Sequence, residues 1–142
     1  MYDERMVAPM RAELTSVGIE EARTAADVEA VLGKKKGTVL VVVNSVCGCA
    51  AGNARPAVRM AMDHTVQPDR KITVFAGNDK DATAKARDYF TGYRPSSPAI
   101  ALLRDGEVVK IWERHNIEGR EAHDLARELV EAFDRHCVKA TA

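Results

Sequence analysis

The fold of this 142-residue chain is decided by residues 38–56, TVLVVVNSVCGCAAGNARP. The segment opens with an unbroken apolar run, residues 39–43, in which every residue except Leu40 is β-branched. Short apolar runs bounded by turn-forming residues are typical of strands that are buried on both faces of a sheet. Two cysteines and several small residues follow and lead into a helical pattern. The segment therefore predicts a central strand that ends at the cysteines, with a helix beginning immediately after them.

Cys47 and Cys49 are separated by a single glycine at this junction between strand and helix. The first backbone N–H groups of a helix have no partner within the helix and carry partial positive charge, which stabilises a thiolate. A free cysteine titrates near about 8.5, and a helix N-terminus lowers this pKa. Cys47 precedes the small-residue stretch, so we expect it to be the more exposed thiol and the nucleophile.

Cys49 is close enough to Cys47 to form a disulfide with it, because residues two apart keep their Cα atoms within bridging range. The ring that closes is smaller than the ring of a CxxC pair. Strained disulfides are reduced more easily and have higher potentials. We therefore expect a dithiol that is a poor reductant and a good acceptor or exchanger of disulfides.

Two other interpretations of the cysteine pair stay open at this point. Free cysteines are often buried as small apolar residues, and two thiolates one residue apart can bind a soft metal such as Cu(I) or zinc. A closed zinc site needs four ligands, and the other candidates are scattered along the chain, so we expect no metal. Those candidates are Cys137, His64, His115 and His136.

Length, composition and charge limit the class of protein. The chain has 142 residues, of which 46% are hydrophobic, so we expect one globular domain, residues 1–142. Its 21 basic and 21 acidic residues balance, which argues against a nucleic acid or an anionic membrane as partner. The N-terminal segment lacks the apolar stretch of a signal peptide, and no apolar run is long enough to span a bilayer. We expect a cytoplasmic protein, in which cysteines are more often catalytic or metal-binding than structural.

Apolar periodicity predicts helices and strands that alternate along the chain. Besides the central strand, strands are predicted at 19–23, 72–76, 99–103 and 108–112. Helices are predicted at 5–16, 24–33, 50–62 and 79–92, and from Asn116 up to Cys137. The dipeptide Asp105-Gly106 predicts a tight hairpin between the last two strands.

Prolines and capping residues set the expected helix ends. Pro9 is expected in the first turn of the first helix, where proline is tolerated, and Pro56 is expected to kink the helix that follows the cysteines. Thr24 and Asp27 form a variant capping box. Asp79 or Asp81 is expected to cap the fourth helix, and Asn116 is expected to cap the last one.

The order of elements predicts an α/β fold with a central mixed β-sheet and helices on both faces, because strand–helix alternation implies parallel pairing and the hairpin adds an antiparallel pair. This order resembles the thioredoxin fold, with an extra N-terminal helix. In that family a cis-proline opens the strand after the third helix and faces the cysteines. Pro98, in the sequence SPAI at 97–100, matches this place, and LLRDGEVV at 102–109 resembles the final thioredoxin hairpin.

Longer segments resemble the bacilliredoxins, over nearly the whole chain. The matching segments are NSVCGCAAGNARP at 44–56, ITVFAG at 72–77, YFTGYRPSSPAIALL at 89–103 and ERHNIEGR at 113–120. The resemblance implies a thiol–disulfide oxidoreductase that removes bacillithiol from mixed disulfides on oxidised or S-thiolated proteins. Members of the family have also been described as disulfide isomerases.

The resemblance also implies roles for individual residues. Cys47 would attack the mixed disulfide and take over the small thiol. Either Cys49 would then resolve it by closing the Cys47–Cys49 disulfide, or a second free thiol would do so. A cis peptide between Ser97 and Pro98 would present backbone groups to an extended substrate. No cofactor is implied beyond this redox-active pair, with bacillithiol as co-substrate. The motif lacks the tryptophan and the proline of the thioredoxin motif, so thioredoxin-type protein reduction is not implied.

Four further residues have two interpretations each. Asn53 and Arg55 follow the cysteines by about one turn, and either bind a substrate carboxylate or lie on a solvated helix face. His115 is either a proton donor near the thiols or a polar residue leading into the Asn116 cap. Cys137 is either a further reactive thiol or a residue packed at a helix end.

Overall fold

The computed structural model describes residues 1–137, and it arranges them around one mixed β-sheet. The strands are β1 Glu20–Glu21, β2 Thr38–Asn44, β3 Arg70–Phe75, β4 Ala99–Arg104 and β5 Glu107–Trp112. The helices are α1 Glu4–Thr15, α2 Ala25–Leu32, α3 Arg55–Ala61, α4 Lys80–Asp88, α5 Arg114–Ile117 and α6 Ala122–His136. A π-helical segment, Ala50–Ala54, precedes α3. In this part of the chain, no helix combines the length and the apolar character needed to cross a membrane.

Strand β2 lies at the centre of the sheet, whose strand order is β1-β3-β2-β4-β5. It runs parallel to β3 and antiparallel to β4, with Val41 opposite Ile72 on one side and Ala101 on the other. All seven residues of β2 are buried. The mixed sheet and its fully buried central strand confirm the predicted fold class.

The two faces of β2 support separate parts of the hydrophobic core. Leu40 and Val42 pack in the cluster that includes residues of α1, α3 and α6. Val39, Val41 and Val43 pack in the cluster that includes residues of α2 and α4. Successive strand residues point to opposite faces, and burying each side chain of this size contributes about 1.5–3 kcal/mol. The end of β2, where the cysteines begin, is therefore fixed from both sides.

The first helix begins one residue earlier than the sequence predicts. Asp3 is its N-cap, and the Asp3 side chain accepts a hydrogen bond from the backbone N–H of Arg5. Pro9 therefore lies inside the helix, and its expected place in the first turn is wrong. Because proline has no N–H, it cannot donate to the carbonyl of Arg5, four residues earlier.

The helix after the cysteines differs from the prediction of a single α-helix kinked at Pro56. Residues 50–54 instead form a π-helical turn, and the backbone N–H of Arg55 donates to the carbonyl of Ala50, five residues earlier. Helix α3 starts at Arg55, so Pro56 lies in its first turn. Proline is tolerated there because the N–H groups of a first turn have no partner within the helix. The wide turn takes the place of the predicted kink.

Two of the predicted caps have different outcomes. The capping box is confirmed, since Asp27 N–H donates to Thr24 Oγ1 at 3.0 Å and Thr24 N–H donates to Asp27 Oδ2 at 3.2 Å. Asp79 occupies the N-cap position of α4, but its side chain makes no capping hydrogen bond. Its carboxylate accepts two hydrogen bonds from the buried guanidinium of Arg11, at 2.7 and 3.0 Å.

Asn116 does not cap the last helix, and that prediction is wrong. It lies within the short helix α5, where its side chain accepts a hydrogen bond of 2.9 Å from the backbone N–H of Glu113. The last helix, α6, begins at Ala122 after Glu121. A separate turn of helix therefore stands between β5 and α6, and Asn116 stabilises that turn.

The predicted hairpin is confirmed. Strands β4 and β5 pair in antiparallel fashion, with Arg104 opposite Glu107. Asp105 and Gly106 connect them with φ angles of +52° and +88°, conformations that aspartate tolerates and glycine adopts freely. The first strand is confirmed only at Glu20–Glu21, where it pairs with β3.

Candidate active site

The two cysteines lie where β2 has ended and the next helix begins. The carbonyl of Cys47 accepts hydrogen bonds from the backbone N–H groups of Ala50 and Ala51, at 3.0 and 3.1 Å, so the helical turn starts from Cys47. Both cysteine side chains are half-buried and carry free thiols. Their Sγ atoms are 2.9 Å apart. The predicted placement of a thiol pair at a helix start is therefore present in the structure.

Cys47 receives several hydrogen bonds at its sulfur. The hydroxyl of Ser45 donates to Cys47 Sγ at 3.2 Å. Burial raises the pKa of the Cys47 thiol, but hydrogen bonds from Cys49, from Ser45 and from the backbone N–H groups of Ala50 and Cys49 together hold this pKa below its ordinary value. The thiol of Cys47 thus ionises more readily than an ordinary cysteine thiol.

Cys49 has the opposite tendency. Burial raises the pKa of the Cys49 thiol, and the hydrogen bond to Cys47 and the negative charge of Cys47 raise it further. The positive charge of Arg114 opposes this rise only in part. Cys47 therefore loses its proton more readily than Cys49, which gives the two neighbouring sulfurs different chemistry.

Arg114 is a site residue for which no sequence pattern predicted a role. Its backbone N–H donates to Ser96 Oγ at 2.7 Å, and its Nη1 donates to the carbonyl of Ser97 at 3.4 Å. The hydrogen bond to Glu118 is the main cause that raises the pKa of Arg114, and the charges of Cys49 and Cys47 add to it. Its position in the sequence offers one usable signal. Arg114 follows the end of β5 by two residues, and β5 pairs with β4, the strand that begins directly after Pro98.

The peptide bond between Ser97 and Pro98 is cis, as the resemblance implies. Pro98 is buried at the start of β4, and Ser97 is half-buried. Because Arg114 contacts Ser96 and Ser97 and also acts electrostatically on both sulfurs, it joins the cis-proline segment to the dithiol.

Arg55 does not lie on a solvated helix face, and this corrects that expectation for it, while its contact with a substrate carboxylate stays a prediction. The residue is only 2% exposed. Its Nη1 donates to Asn44 Oδ1 at 3.0 Å and to the carbonyl of Ser45 at 2.7 Å, while its Nε lies 3.2 Å from the carboxylate of Glu13. The π-helical turn places one extra residue in the turn before Arg55, which directs this side chain towards the core.

Asn53 is half-buried, and its side-chain amide donates to the backbone carbonyl of Arg120. This contact ties the first turn after the cysteines to the connection between α5 and α6. His115 lies in α5 with its side chain 74% exposed, and its Nε2 is 3.9 Å from the carboxylate of Glu113. Contact of Asn53 with a substrate stays a prediction.

Cys137 ends α6 in the core and is 6% exposed. Burial raises the pKa of its thiol, which a hydrogen bond with Thr38 offsets only in part. Thr38 is the first residue of β2, so Cys137 lies near the end of that strand opposite to the dithiol. Its position agrees with a residue packed at a helix end.

The potential metal ligands considered from the sequence are not gathered around the dithiol. Within residues 1–137, the one group of three neighbouring ligand atoms is Glu121, His123 and Asp124, on the surface. His64 instead pairs with Asp134 at 2.7 Å. The described residues therefore offer Cys47 and Cys49 no third metal ligand of these types.

Known proteins share both the sequence and the fold of this chain. A family model described as "Disulphide isomerase" matches residues 2–137. A bacilliredoxin of Koribacter versatilis is 55% identical over 137 residues, covering 96% of this chain and 94% of the relative. A bacilliredoxin of Bacillus licheniformis is 50% identical over 137 residues, covering 96% of this chain and 95% of the relative.

Solved structures establish the same architecture at much lower sequence identity. The thioredoxin of Fasciola hepatica superimposes with a TM-score of 0.57 at 21% identity, covering 83% of this chain and 99% of that one. A thioredoxin variant from Halobacterium salinarum superimposes with a TM-score of 0.58 at 16% identity, covering 88% of this chain and 96% of that one. The chain therefore has a thioredoxin-like fold.

Proposed function

Because this chain belongs to the bacilliredoxin family and is a thiol–disulfide oxidoreductase, we propose that it removes bacillithiol from mixed disulfides on proteins. The observation that carries the proposal is the pair of sulfurs 2.9 Å apart, of which Cys47 has a lowered pKa and Cys49 a raised one. We place the reaction in the cytoplasm, a reducing compartment that keeps such thiols free.

In the first step, the thiolate of Cys47 attacks the small thiol's sulfur in the mixed disulfide. A new disulfide forms between Cys47 and the small thiol, the disulfide to the substrate protein breaks, and the protein thiolate leaves and takes up a proton. Ser45, whose hydroxyl lies 3.2 Å from Cys47 Sγ, stabilises the thiolate before attack. A lowered pKa raises the thiolate fraction, and exchange depends on that fraction.

In the second step, Cys49 loses its proton and attacks Cys47 Sγ. The small thiol leaves and is protonated, and the Cys47–Cys49 disulfide forms. The dithiol has then lost two electrons, and the substrate disulfide has been reduced to two thiols. Return to the dithiol takes two electrons from an external thiol or dithiol. Cys49 gains nucleophilic character only after Cys47 has become neutral, because the charge of Cys47 helps to hold the pKa of Cys49 high.

The substrate protein is proposed to lie against Ser97 and Pro98. Two facts support this placement: the peptide bond is cis, and Arg114 connects this segment to the dithiol. An extended substrate segment can form backbone hydrogen bonds with an exposed backbone edge. The small thiol would then be held between Cys47 and the segment that carries Arg114.

A second candidate function is disulfide isomerisation, which the description of the matching family model favours. Here Cys47 attacks a protein–protein disulfide, and a second protein thiol displaces Cys47 before Cys49 reacts. No net oxidation or reduction occurs. The two candidates differ in the fate of Cys49, which is required for reduction and dispensable for isomerisation.

The proposal is tested with a single-cysteine protein carrying bacillithiol as a mixed disulfide. Release of the small thiol is measured by mass spectrometry with wild type, Cys47→Ala, Cys49→Ser and, as a matched control, Cys137→Ala. We expect release by wild type and Cys137→Ala, none by Cys47→Ala, and one trapped equivalent on Cys49→Ser. Equal release by wild type and Cys47→Ala would remove Cys47 from the mechanism.

A further inference from the structure

A cleft of about 690 Å³ lies beside the cis-proline segment. One wall is the loop 92–96. The other wall is formed by Glu113, directly after β5, and by Arg114, His115 and Glu118 in and next to α5. Arg114 belongs to this second wall, contacts Ser97 and acts electrostatically on both sulfurs. The volume is within the range of about 300–1,000 Å³ that small-molecule sites occupy. The cleft therefore adjoins the segment that carries Ser97, and it shares Arg114 with the surroundings of the dithiol.

The carboxylates of the cleft are already occupied by partners. Glu118 accepts a hydrogen bond of 2.7 Å from Arg114 Nε. The carboxylate of Glu113 lies 3.9 Å from Nε2 of His115. Each acidic side chain of the cleft thus already has a basic neighbour there, Arg114 or His115.

Arg94 is the basic residue of the cleft that remains available. It is exposed, and within residues 1–137 it makes no ion pair and no side-chain hydrogen bond. The neighbouring Tyr93 is 43% exposed and offers a flat apolar surface. An arginine presents a planar fork of donors that matches a carboxylate, and an adjacent aromatic ring can cover the carbon chain that carries it.

On the basis of the proposed function, we propose that this cleft binds the carboxylate of the small thiol and that Arg94 is a specificity-determining residue for acidic low-molecular-weight thiols. When the sulfur of the small thiol is attacked by Cys47, its acidic group lies in the cleft between Arg94 and Arg114. Neutral and cationic small thiols are attacked at the same sulfur but form no ion pair with Arg94 in the cleft.

The test uses one neutral peptide with a single cysteine, coupled as a mixed disulfide to four small thiols of different charge. These are cysteamine, 2-mercaptoethanol, 3-mercaptopropionate and mercaptosuccinate. Each exchange rate is divided by the rate with dithiothreitol, which corrects for intrinsic reactivity. The variants are Arg94→Gln and, as a control with the same change of charge, Arg70→Gln. Arg70 is 42% exposed and pairs with Val39 at the start of β2, at the far end of the strand from the cysteines.

We expect the normalised rates of wild type to rise from the cationic to the dianionic thiol. Arg94→Gln should slow the two acidic members about two- to fivefold, the range for an exposed ion pair, and leave 2-mercaptoethanol unchanged. Arg70→Gln should behave as wild type. Equal normalised rates for all four, or an equal loss for neutral and acidic members in Arg94→Gln, would overturn the inference while leaving the exchange activity standing. Failure of wild type to exchange any member would overturn the proposed function itself.

Discussion

The guanidinium of Arg55, buried beneath the end of strand β2, donates a hydrogen bond of 2.7 Å to the backbone carbonyl of Ser45. The same nitrogen donates to Asn44 Oδ1, and that oxygen also accepts the backbone N–H of Ser45 at 2.9 Å. The Ser45 hydroxyl then donates to Cys47 Sγ. The buried guanidinium of Arg55 therefore fixes the turn that carries Ser45, whose hydroxyl donates to the nucleophilic sulfur of Cys47.

Arg55→Met is expected to raise the pKa of Cys47 as well as to destabilise the fold. The substitution leaves the Ser45 carbonyl and Asn44 without their shared donor, which costs about 2–4 kcal/mol of unfolding free energy. Ser45 then loses its fixed orientation towards Cys47. The alkylation rate of Cys47 against pH, measured beside urea unfolding, separates the two effects.

Arg11→Met is the matched control for that experiment. Arg11 is also buried, at 4% exposure, and it pairs with Asp79 and Glu4. We expect a loss of stability of similar size, about 2–4 kcal/mol, with the pH profile of Cys47 unchanged. Arg55→Lys should recover part of the profile because it restores one donor. If both methionine variants moved the profile equally, Arg55 would have only a structural role.

Ser45→Ala is expected to shift the pKa of Cys47 upwards, since the hydroxyl bond is one of the causes that lower it. A hydrogen bond to a charged group contributes about 1.5 kcal/mol at the low end of its range, or about tenfold in thiolate fraction. The higher intrinsic nucleophilicity of a more basic thiolate offsets about half of this effect on a logarithmic scale. At a pH low enough to keep Cys47 mostly protonated in both proteins, the alkylation rate should therefore fall about threefold. An unchanged rate would mean that the hydroxyl does not bind the thiolate in solution.

Arg114→Gln is expected to slow the second chemical step more than the first. The positive charge of Arg114 lowers the pKa of Cys49, so its removal leaves that pKa still higher and Cys49 less often ionised. With the neutral 2-mercaptoethanol mixed disulfide, release of the small thiol should slow about two- to fivefold. Stopped samples analysed by intact mass should show more of the Cys47 mixed disulfide than wild type does. Equal accumulation in both proteins would argue against this role.

Cys137 is expected to be inert in the folded protein. It is 6% exposed, and burial raises its pKa. Iodoacetamide at about pH 7.5 should label it only after unfolding in guanidinium, while Cys47 is labelled in the native protein. Labelling of native Cys137 at the rate of a model thiol would reopen the interpretation of a third reactive cysteine.

The features that were predictable from the sequence are those that depend on local pattern. The run 39–43 identified the central strand because burial on both faces leaves no polar position. Asp105 and Gly106 identified the hairpin because both residue types accept positive φ angles, which the structure shows at these two positions. The cysteine pair was recognisable as a site because its position followed from the strand and helix on either side.

The features that were not predictable depend on departures from regular geometry or on long-range contacts. Arg55 was assigned to an exposed or substrate-facing surface because an α-helical period was assumed, and the π-helical turn changes the face on which it lies. Asn116 was assigned to the wrong helix because α5 is only one turn long. Arg114 joins the site through contacts with Ser96 and Ser97, which are distant in sequence.

The exchange chemistry depends on how readily Cys47 ionises, which is measured by the rate of its alkylation as a function of pH. In the Cys137→Ala protein, the label is assigned to one cysteine by fragmenting the peptide that contains both. Cys47 should reach half of its maximal rate at a lower pH than a model thiol measured alongside, and Cys49 should reach it at a higher pH than that thiol. A Cys47 profile at or above that of the model thiol, or identical profiles for the two cysteines, would show that Cys47 is not the more readily ionised thiol.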